Sequence, residues 1–254
     1  MSTAREHYEE VLSPYYSRMF GDFEAKVEEQ QALLERLGVT SRQSGGLAVD
    51  LGCGSGFQSV ALARLGFRVL SVDFSPRLLA ELHERARGLP VTAIVGDIRD
   101  IGALAPTGVD LVVCMGDTLS HLECESDLER MFAGVAARLG DGGRFILTFR
   151  DLSRELHGLD RFIPLHSSDD LIMTCCLEYE PTRVKVHDLL WVRQPDGWHF
   201  RKGVYRKLRL APHAIVRQLE NAAFTVERHD ALAGIVTLVG TLTGPRRSQP
   251  RSWY

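Results

Sequence analysis

The chain has 254 residues, of which 44% are hydrophobic and 25% charged, with a formal net charge of −3. That balance belongs to a folded globular protein and excludes a disordered, collagen-like or highly charged chain. No apolar run approaches the ~20 residues of a membrane span, and the polar start at 1–7 has no apolar leader core.

Residues 3–38 read as two helices. The first is aromatic, with Tyr8, Tyr15 and Tyr16; the second sets Phe23, Val27, Leu34 and Leu37 on one face. Gly38 stops the second helix, and 41–46 is a loop. From 47 to 149 strands and helices alternate, which predicts a parallel sheet with crossover helices. The apolar run 47–51 leads into Gly52-Cys53-Gly54-Ser55-Gly56 and a helical stretch at 57–65. The run 67–72 ends in Asp73, the run 91–95 in Gly96-Asp97-Ile98, and the run 109–115 in Gly116-Asp117. Ser75-Pro76 opens a helix over 76–87, as N-cap and first helical residue. Leu78, Leu79, Leu82 and Ala86 form its core stripe. A further helix over 125–139 carries Leu128, Met131, Phe132, Val135 and Leu139. Asp141-Gly142-Gly143 is a turn before a fifth strand at 144–149.

After Phe149 the character changes. Three strands without intervening helices are predicted at 171–179, 183–192 and 198–210, separated by turns at 180–182 and 194–197. A helix from Pro212 turns Ile215, Val216 and Leu219 inward, and strands at 224–228 and 235–241 form an antiparallel pair. Residues 244–254 read as a disordered tail. The expected organisation is an N-terminal helical lid (1–40), a main α/β domain (41–150 and 211–243) and an antiparallel insert (151–210).

Five cysteines, Cys53, Cys114, Cys124, Cys175 and Cys176, are odd in number and lack Cys-x-x-Cys or zinc-ligand spacing. They predict reduced thiols in the cytoplasm and no metal site. Adjacent Cys175 and Cys176 point to opposite faces of their strand. Charge is uneven: residues 183–254 hold 13 Lys/Arg against 5 Asp/Glu. A basic surface of that kind attracts anions or nucleic acid, but a solvated strand face plus a basic tail explains it more cheaply. On the strand 201–210, Arg201, Tyr205, Lys207 and Arg209 are expected outside, with Val204, Leu208 and Leu210 inside.

The most informative segment is Val49-Asp50-Leu51-Gly52-Cys53-Gly54-Ser55-Gly56. Between a strand and a helix, such a turn lets backbone approach a ligand closely. Its spacing, Asp-x-Gly-x-Gly-x-Gly, departs from the G-x-G-x-x-G of dinucleotide sites. An acid on the strand also suits a cationic or amino-bearing ligand better than a pyrophosphate. Asp73, at the end of the second strand, can accept two hydrogen bonds from a ribose diol.

On these residues the chain resembles class I S-adenosylmethionine-dependent methyltransferases, with motif I at 49–56. The resemblance implies a doubly wound, Rossmann-like, seven-stranded and mostly parallel sheet, with the antiparallel insert after its fifth strand and the lid at its start. It implies S-adenosylmethionine as cofactor. Asp50, Gly52, Cys53, Gly54 and Gly56 would hold the donor's amino-acid end, Asp73 its ribose, and Phe74, Asp97 and Ile98 its adenine, with Met115 and Gly116 beside it. Residues 114–122 (Cys-Met-Gly-Asp-Thr-Leu-Ser-His-Leu) resemble the matching stretch of glycine and amino-sugar N-methyltransferases, departing from many amine methyltransferases in having Asp117 where Asn or Ser is common.

That subtype implies a small-molecule acceptor, nitrogen ahead of oxygen or carbon. His121 would be the base or amine-orienting group. Tyr16 would fold over the donor, and Arg150 would bind an acceptor carboxylate or phosphate. Two rivals remain at this point: a methyltransferase for RNA or protein, and a donor-binding module without turnover. Exposed strand edges of the insert also allow a homodimer.

Overall fold

The computed structural model describes residues 3–40, 45–230 and 234–243; the predicted tail at 244–254 lies outside them. The chain runs through α1 (Ala4–His7), a π-helical turn at Tyr8–Leu12 and a 3-10 turn at Ser17–Phe20 to α2 (Phe23–Arg36). Then come β1 (Leu47–Leu51), α3 (Phe57–Arg64), β2 (Arg68–Asp73), α4 (Pro76–Arg85), β3 (Val91–Val95), α5 (Ile101–Leu104), β4 (Val109–Cys114), α6 (Glu125–Arg138) and β5 (Leu139–Arg150). A helix-free stretch follows, with β6 (Phe162–Ser167), β7 (Leu171–Tyr179), β8 (Arg183–Gln194) and β9 (Gly197–Leu208). The described chain closes with α7 (Pro212–Asn221), β10 (Phe224–Asp230) and β11 (Ile235–Leu242).

Seven strands form one sheet in the order β10-β11-β5-β4-β1-β2-β3. β1 to β5 pair in parallel, and β11 and β10 join antiparallel to their neighbours. The order reverses between β1 and β4. At such a switch point the loops at the carboxyl ends of the strands diverge and leave a crevice. The apolar runs make this core: a cluster with Phe132, Phe145 and Phe149 fills one face, and one with Val27, Leu34 and Leu62 fills the other.

The second sheet, β6-β7-β8-β9, is antiparallel throughout. β7 and β8 alternate buried and open residues, the mark of a sheet covered on one face. The cover is the N-terminal segment: Leu12 is buried there, with Tyr8, Val11, Tyr15 and Met19 packed against the same cluster. Cys175 is buried and Cys176 is not, as the alternation requires.

Three expectations need correction. The second sheet has a fourth strand, β6 (Phe162-Ile163-Pro164-Leu165-His166-Ser167), beyond the three that the sequence predicts. Proline removes a ladder donor, and the register shifts between Pro164 and His166. The first N-terminal helix is a single α-turn running into a π-turn. β5 begins at Leu139, because Asp141-Gly142-Gly143 is absorbed as an irregularity in its pairing with β4 rather than ending before it.

Candidate active site

A cavity of about 610 Å³ opens at the switch point. At its inner end it is lined by Gly52 and Gly54 after β1, Asp73 and Phe74 after β2, and Asp97 and Ile98 after β3. The outer end is lined by the N-terminal segment through Arg5 and Tyr8, by His121 and Glu123, and by Arg183 and Arg206 of the second sheet.

The glycine turn is tight because it must be. Gly52 has φ +70°, and a Cβ there would stand 2.2 Å from Thr118 Cγ2. Above Gly54, also at positive φ, a Cβ would meet the Tyr16 ring at 3.1 Å. Four of the loop's five N–H groups are already used: Gly52 and Cys53 donate to the Val72 carbonyl, Gly56 to the Cys53 carbonyl, and Gly54 to Asp73 Oδ2 at 2.9 Å. It therefore offers no cradle of free N–H groups to a pyrophosphate, unlike a phosphate-binding turn. Two carboxylates, Asp73 and Asp97, line the same end, which further disfavours an anion.

Asp73 accepts a second backbone bond, from the Ser75 N–H at 2.8 Å. Burial raises its carboxyl above the ordinary value, against the pull of these N–H donors. Asp97 is gripped by Arg99, with Nη2 to Oδ2 at 2.6 Å and Nε to Oδ1 at 3.0 Å. Burial pushes the Asp97 carboxyl up, but the Arg99 hydrogen bonds and charge outweigh it and hold it low. Asp50 is 1% exposed and sits behind the loop, accepting from Ser59 Oγ at 2.6 Å. Burial pushes its carboxyl up to about 7.

The outer end is built of rings. Tyr8 OH lies 3.2 Å from His121 Nε2, and the two rings meet edge-on at 5.1 Å. Tyr205 stacks on His121 at 5.5 Å and meets Tyr8 edge-on at 6.2 Å. Lys207 Nζ reaches Asp117 Oδ2 at 2.5 Å, and Asp117 Oδ1 accepts the Arg150 N–H at 3.2 Å. Burial first, then the Lys207 charge, pushes the His121 imidazole down to about 3, so it is neutral across the physiological range. Its Nδ1 is buried and has no hydrogen-bond partner among the described residues. Asp117 is held below the ordinary value because the Lys207 charge and hydrogen bond outweigh its burial. Burial raises the Tyr8 and Tyr16 hydroxyls well above theirs, with carboxylate neighbours adding to it.

Of the residues singled out in the sequence, Tyr16, Gly52, Gly54, Asp73, Phe74, Asp97, Ile98 and His121 line the cavity. Asp50, Cys53, Gly56, Met115 and Gly116 do not: the first two and Met115 are buried beneath it, and Gly56 is closed off by Leu82. The Gly116 N–H is taken by Thr148 Oγ1. Arg150 is exposed at the end of β5 and outside the cavity, contributing its backbone N–H to Asp117. Tyr8, Arg99, Tyr205 and Lys207 were missed. The face of Tyr205, Lys207 and Arg209 was expected in solvent, yet Tyr205 is 3% exposed and the Lys207 side chain 13%. The strand turns that face toward the N-terminal segment, a contact its own alternation does not reveal.

Comparison with known proteins bears on what this cavity is. Residues 48–143 match the family model of a methyltransferase domain. That stretch is similar to a methyltransferase domain. Over 117 residues the chain is 32% identical to a ubiquinone biosynthesis O-methyltransferase of Xanthomonas euvesicatoria, covering 45% of this chain and 47% of that protein. Over 157 residues it is 30% identical to a glycine/sarcosine N-methyltransferase of Parasynechococcus marenigrum, covering 61% and 54%. The chain thus spans about half the length of the curated relatives it matches. An amino pentose methyltransferase of Micromonospora echinaspora, solved with S-adenosylmethionine bound, superposes with a TM-score of 0.74 at 19% identity over 91% of this chain and 96% of that one. An S-adenosylmethionine-dependent methyltransferase of Clostridium acetobutylicum gives 0.73 at 18% over 94% and 97%. The whole described fold, second sheet included, is therefore one that methyltransferases use. All residues of the cavity's inner end fall within the matched residues 48–143.

Two outcomes follow. Asp50 has a higher pKa folded than unfolded, so its stabilising contribution is complete below the unfolded value and is lost as pH rises through about 7. Between pH 6 and 8 wild-type stability should fall by about 1 kcal/mol more than that of Asp50→Asn, measured by urea unfolding at each pH. Gly52→Ala should lose more than about 1–2 kcal/mol from its left-handed backbone alone. Thr118→Ser in the same chain should restore part of the remainder by removing the clashing methyl, read by the same unfolding curves.

Proposed function

We propose that this chain is an S-adenosylmethionine-dependent methyltransferase that acts in the cytoplasm on a small-molecule acceptor, with nitrogen the favoured acceptor atom. The observation that carries this is the single cavity in which Gly52, Gly54, Asp73 and Asp97 of a methyltransferase domain meet Tyr8 and His121. The inner end fits the donor: it has acids rather than free N–H groups, and glycines where a Cβ would block approach. S-adenosylmethionine, when bound, supplies an electrophilic methyl group on a sulfonium. Asp73 would hold its ribose, Phe74 and Ile98 its adenine ring, Asp97 with Arg99 the polar edge of that ring, and Gly52 and Gly54 its amino-acid end. Asp50 acts from behind, fixing Ser59 and the start of the loop.

The remaining work is alignment and exclusion of water. Tyr16 covers the glycine turn, and Tyr8 and Tyr205 confine His121. A neutral imidazole accepts a hydrogen bond from an acceptor amine and orients its lone pair; so low a basicity does not equip it to carry the proton away. The outer end carries Arg5 and Arg183 against Glu123, which suits an amine that also bears an anionic group. The amine acceptors in the names of the glycine/sarcosine and amino pentose relatives agree with this. A macromolecular acceptor is less well supported, because Arg206, Lys207 and Arg209 are paired with Glu180, Asp117 and Glu155 rather than offered to phosphates.

Calorimetric titration tests the reading: S-adenosylmethionine should bind in the micromolar range and NAD should not. Asp73→Ala should weaken donor binding by about 1–3 kcal/mol. Binding of NAD alone, or of neither with acceptor present, would reject the donor site. Donor binding without turnover on any amine, hydroxyl or RNA pool would leave an inactive module. Lys207→Met removes the charge that holds His121 down and leaves Asp117 to raise it. An acid limb in the rate should then move up toward pH 6, whereas the wild type should show no His121 limb between about pH 5 and 9.

A further inference from the structure

Away from the cavity lining, the molecule buries a histidine and an aspartate that the proposed reaction does not use. His7 is 1% and Asp188 2% exposed, and His7 Nε2 lies 2.7 Å from Asp188 Oδ2. His7 ends α1 and Asp188 lies in the middle of β8, so the bond spans the joint between the N-terminal segment and the second sheet. Burying such a pair adds little net stability, because desolvation offsets the attraction and an apolar pair does as well. What a directional bond adds is a fixed register.

The second sheet has made room for it. Asp188 pairs with Gly203 across β8 and β9, and a Cβ at 203 would stand 2.4 Å from His7 Cε1. A glycine within a strand weakens it and is kept where another group must come close. The His7 ring then lies against Tyr205 at 4.5 Å and 24°, and Tyr205 lies against His121 at 5.5 Å and 18°. The next residue, Tyr8, brings its hydroxyl to His121 Nε2. Any shift of His7 therefore reaches both rings that confine His121. With four residues, α1 is too short to hold its place by its own hydrogen bonds.

We propose that His7 and Asp188 are positioning residues whose bond sets the N-terminal segment on the second sheet and, through Tyr8 and Tyr205, the seat of His121, a role in catalysis that rests on the cavity being a methyl-transfer site. Neither residue lines the cavity; they act through the two tyrosines.

Three variants separate bonding from packing. His7→Phe keeps a ring against Tyr205 and removes the bond. Asp188→Asn keeps an oxygen to accept it. Gly203→Ala keeps both partners and fills the slot. The readouts are the His121 ring nitrogen resonances in ¹⁵N-histidine-labelled protein, assigned against His121→Asn, and the Kd for S-adenosylmethionine. His7→Phe and Gly203→Ala should move the His121 resonances while leaving the donor Kd within about twofold, and Asp188→Asn should match the wild type in both. Unmoved His121 resonances in His7→Phe and Gly203→Ala would overturn the proposal. So would an Asp188→Asn spectrum displaced as far as that of His7→Phe. A wild type that binds no S-adenosylmethionine would reject the methyl-transfer reading alone, because the resonances still report whether the pair seats the ring.

Discussion

Both carboxylate oxygens of Asp73 are committed to backbone: Oδ2 takes the Gly54 N–H and Oδ1 the Ser75 N–H. One side chain at the end of β2 thus ties the turn after β1 to the start of α4. Those are two neighbouring loops on one side of the switch point, and a charge-assisted bond holds each in place. The arrangement also explains the cost that the site accepts. A carboxylate in a buried position is raised toward neutrality, and the backbone N–H donors of Ser75, Gly54 and Phe74 restrain that shift. Asp50 behind it shows how far burial alone goes, since with Ser59 as its side-chain donor it rises to about 7.

Charge divides the cavity. The inner end has Asp73 and an Arg99-bound Asp97, and the outer end has Arg5 and Arg183 beside Glu123, with Arg206 paired to Glu180. His121, at the outer end, is uncharged because burial and Lys207 both act against its protonation. Asp117 is central to that balance. It departs from the polar neutral residue that the motif resemblance suggested, and its charge is matched by Lys207 from a strand 90 residues later.

How much of this was legible depends on how local the information was. The runs ending in Asp73, Asp97 and Asp117, with the glycine turn at 52–56, encode their own geometry in adjacent residues, and the parallel sheet could be read from them. The stripe of Leu78, Leu79 and Leu82 likewise needed only helical spacing. β6 was hidden because Pro164 breaks the strand pattern and a register shift accommodates it. Tyr205 and Lys207 were hidden for a different reason. Alternation assigns a residue to a face of the strand but does not say what covers that face, and here the cover comes from residues near the chain start. Arg150 was placed by its position at a strand end, yet its side chain leaves the cavity while its backbone serves it. Arg99, two residues past a recognised acid, was near enough to be seen but has no motif of its own.

The cavity has an order of assembly written into its contacts. The inner end is complete once β3 has formed, with Asp73 and Gly54 only 19 residues apart. The outer end joins residues 113 apart at Tyr8 and His121 and 181 apart at His7 and Asp188. Closing loops of that length costs more entropy and comes later than local pairing. During synthesis the segment from Tyr8 to Tyr15 must wait for nearly the last strand of the second sheet before it has a surface to rest on. Until then Tyr8, Val11, Leu12 and Tyr15 are an uncovered apolar stretch, which makes the chain's beginning the part most in need of protection while the rest is still being made.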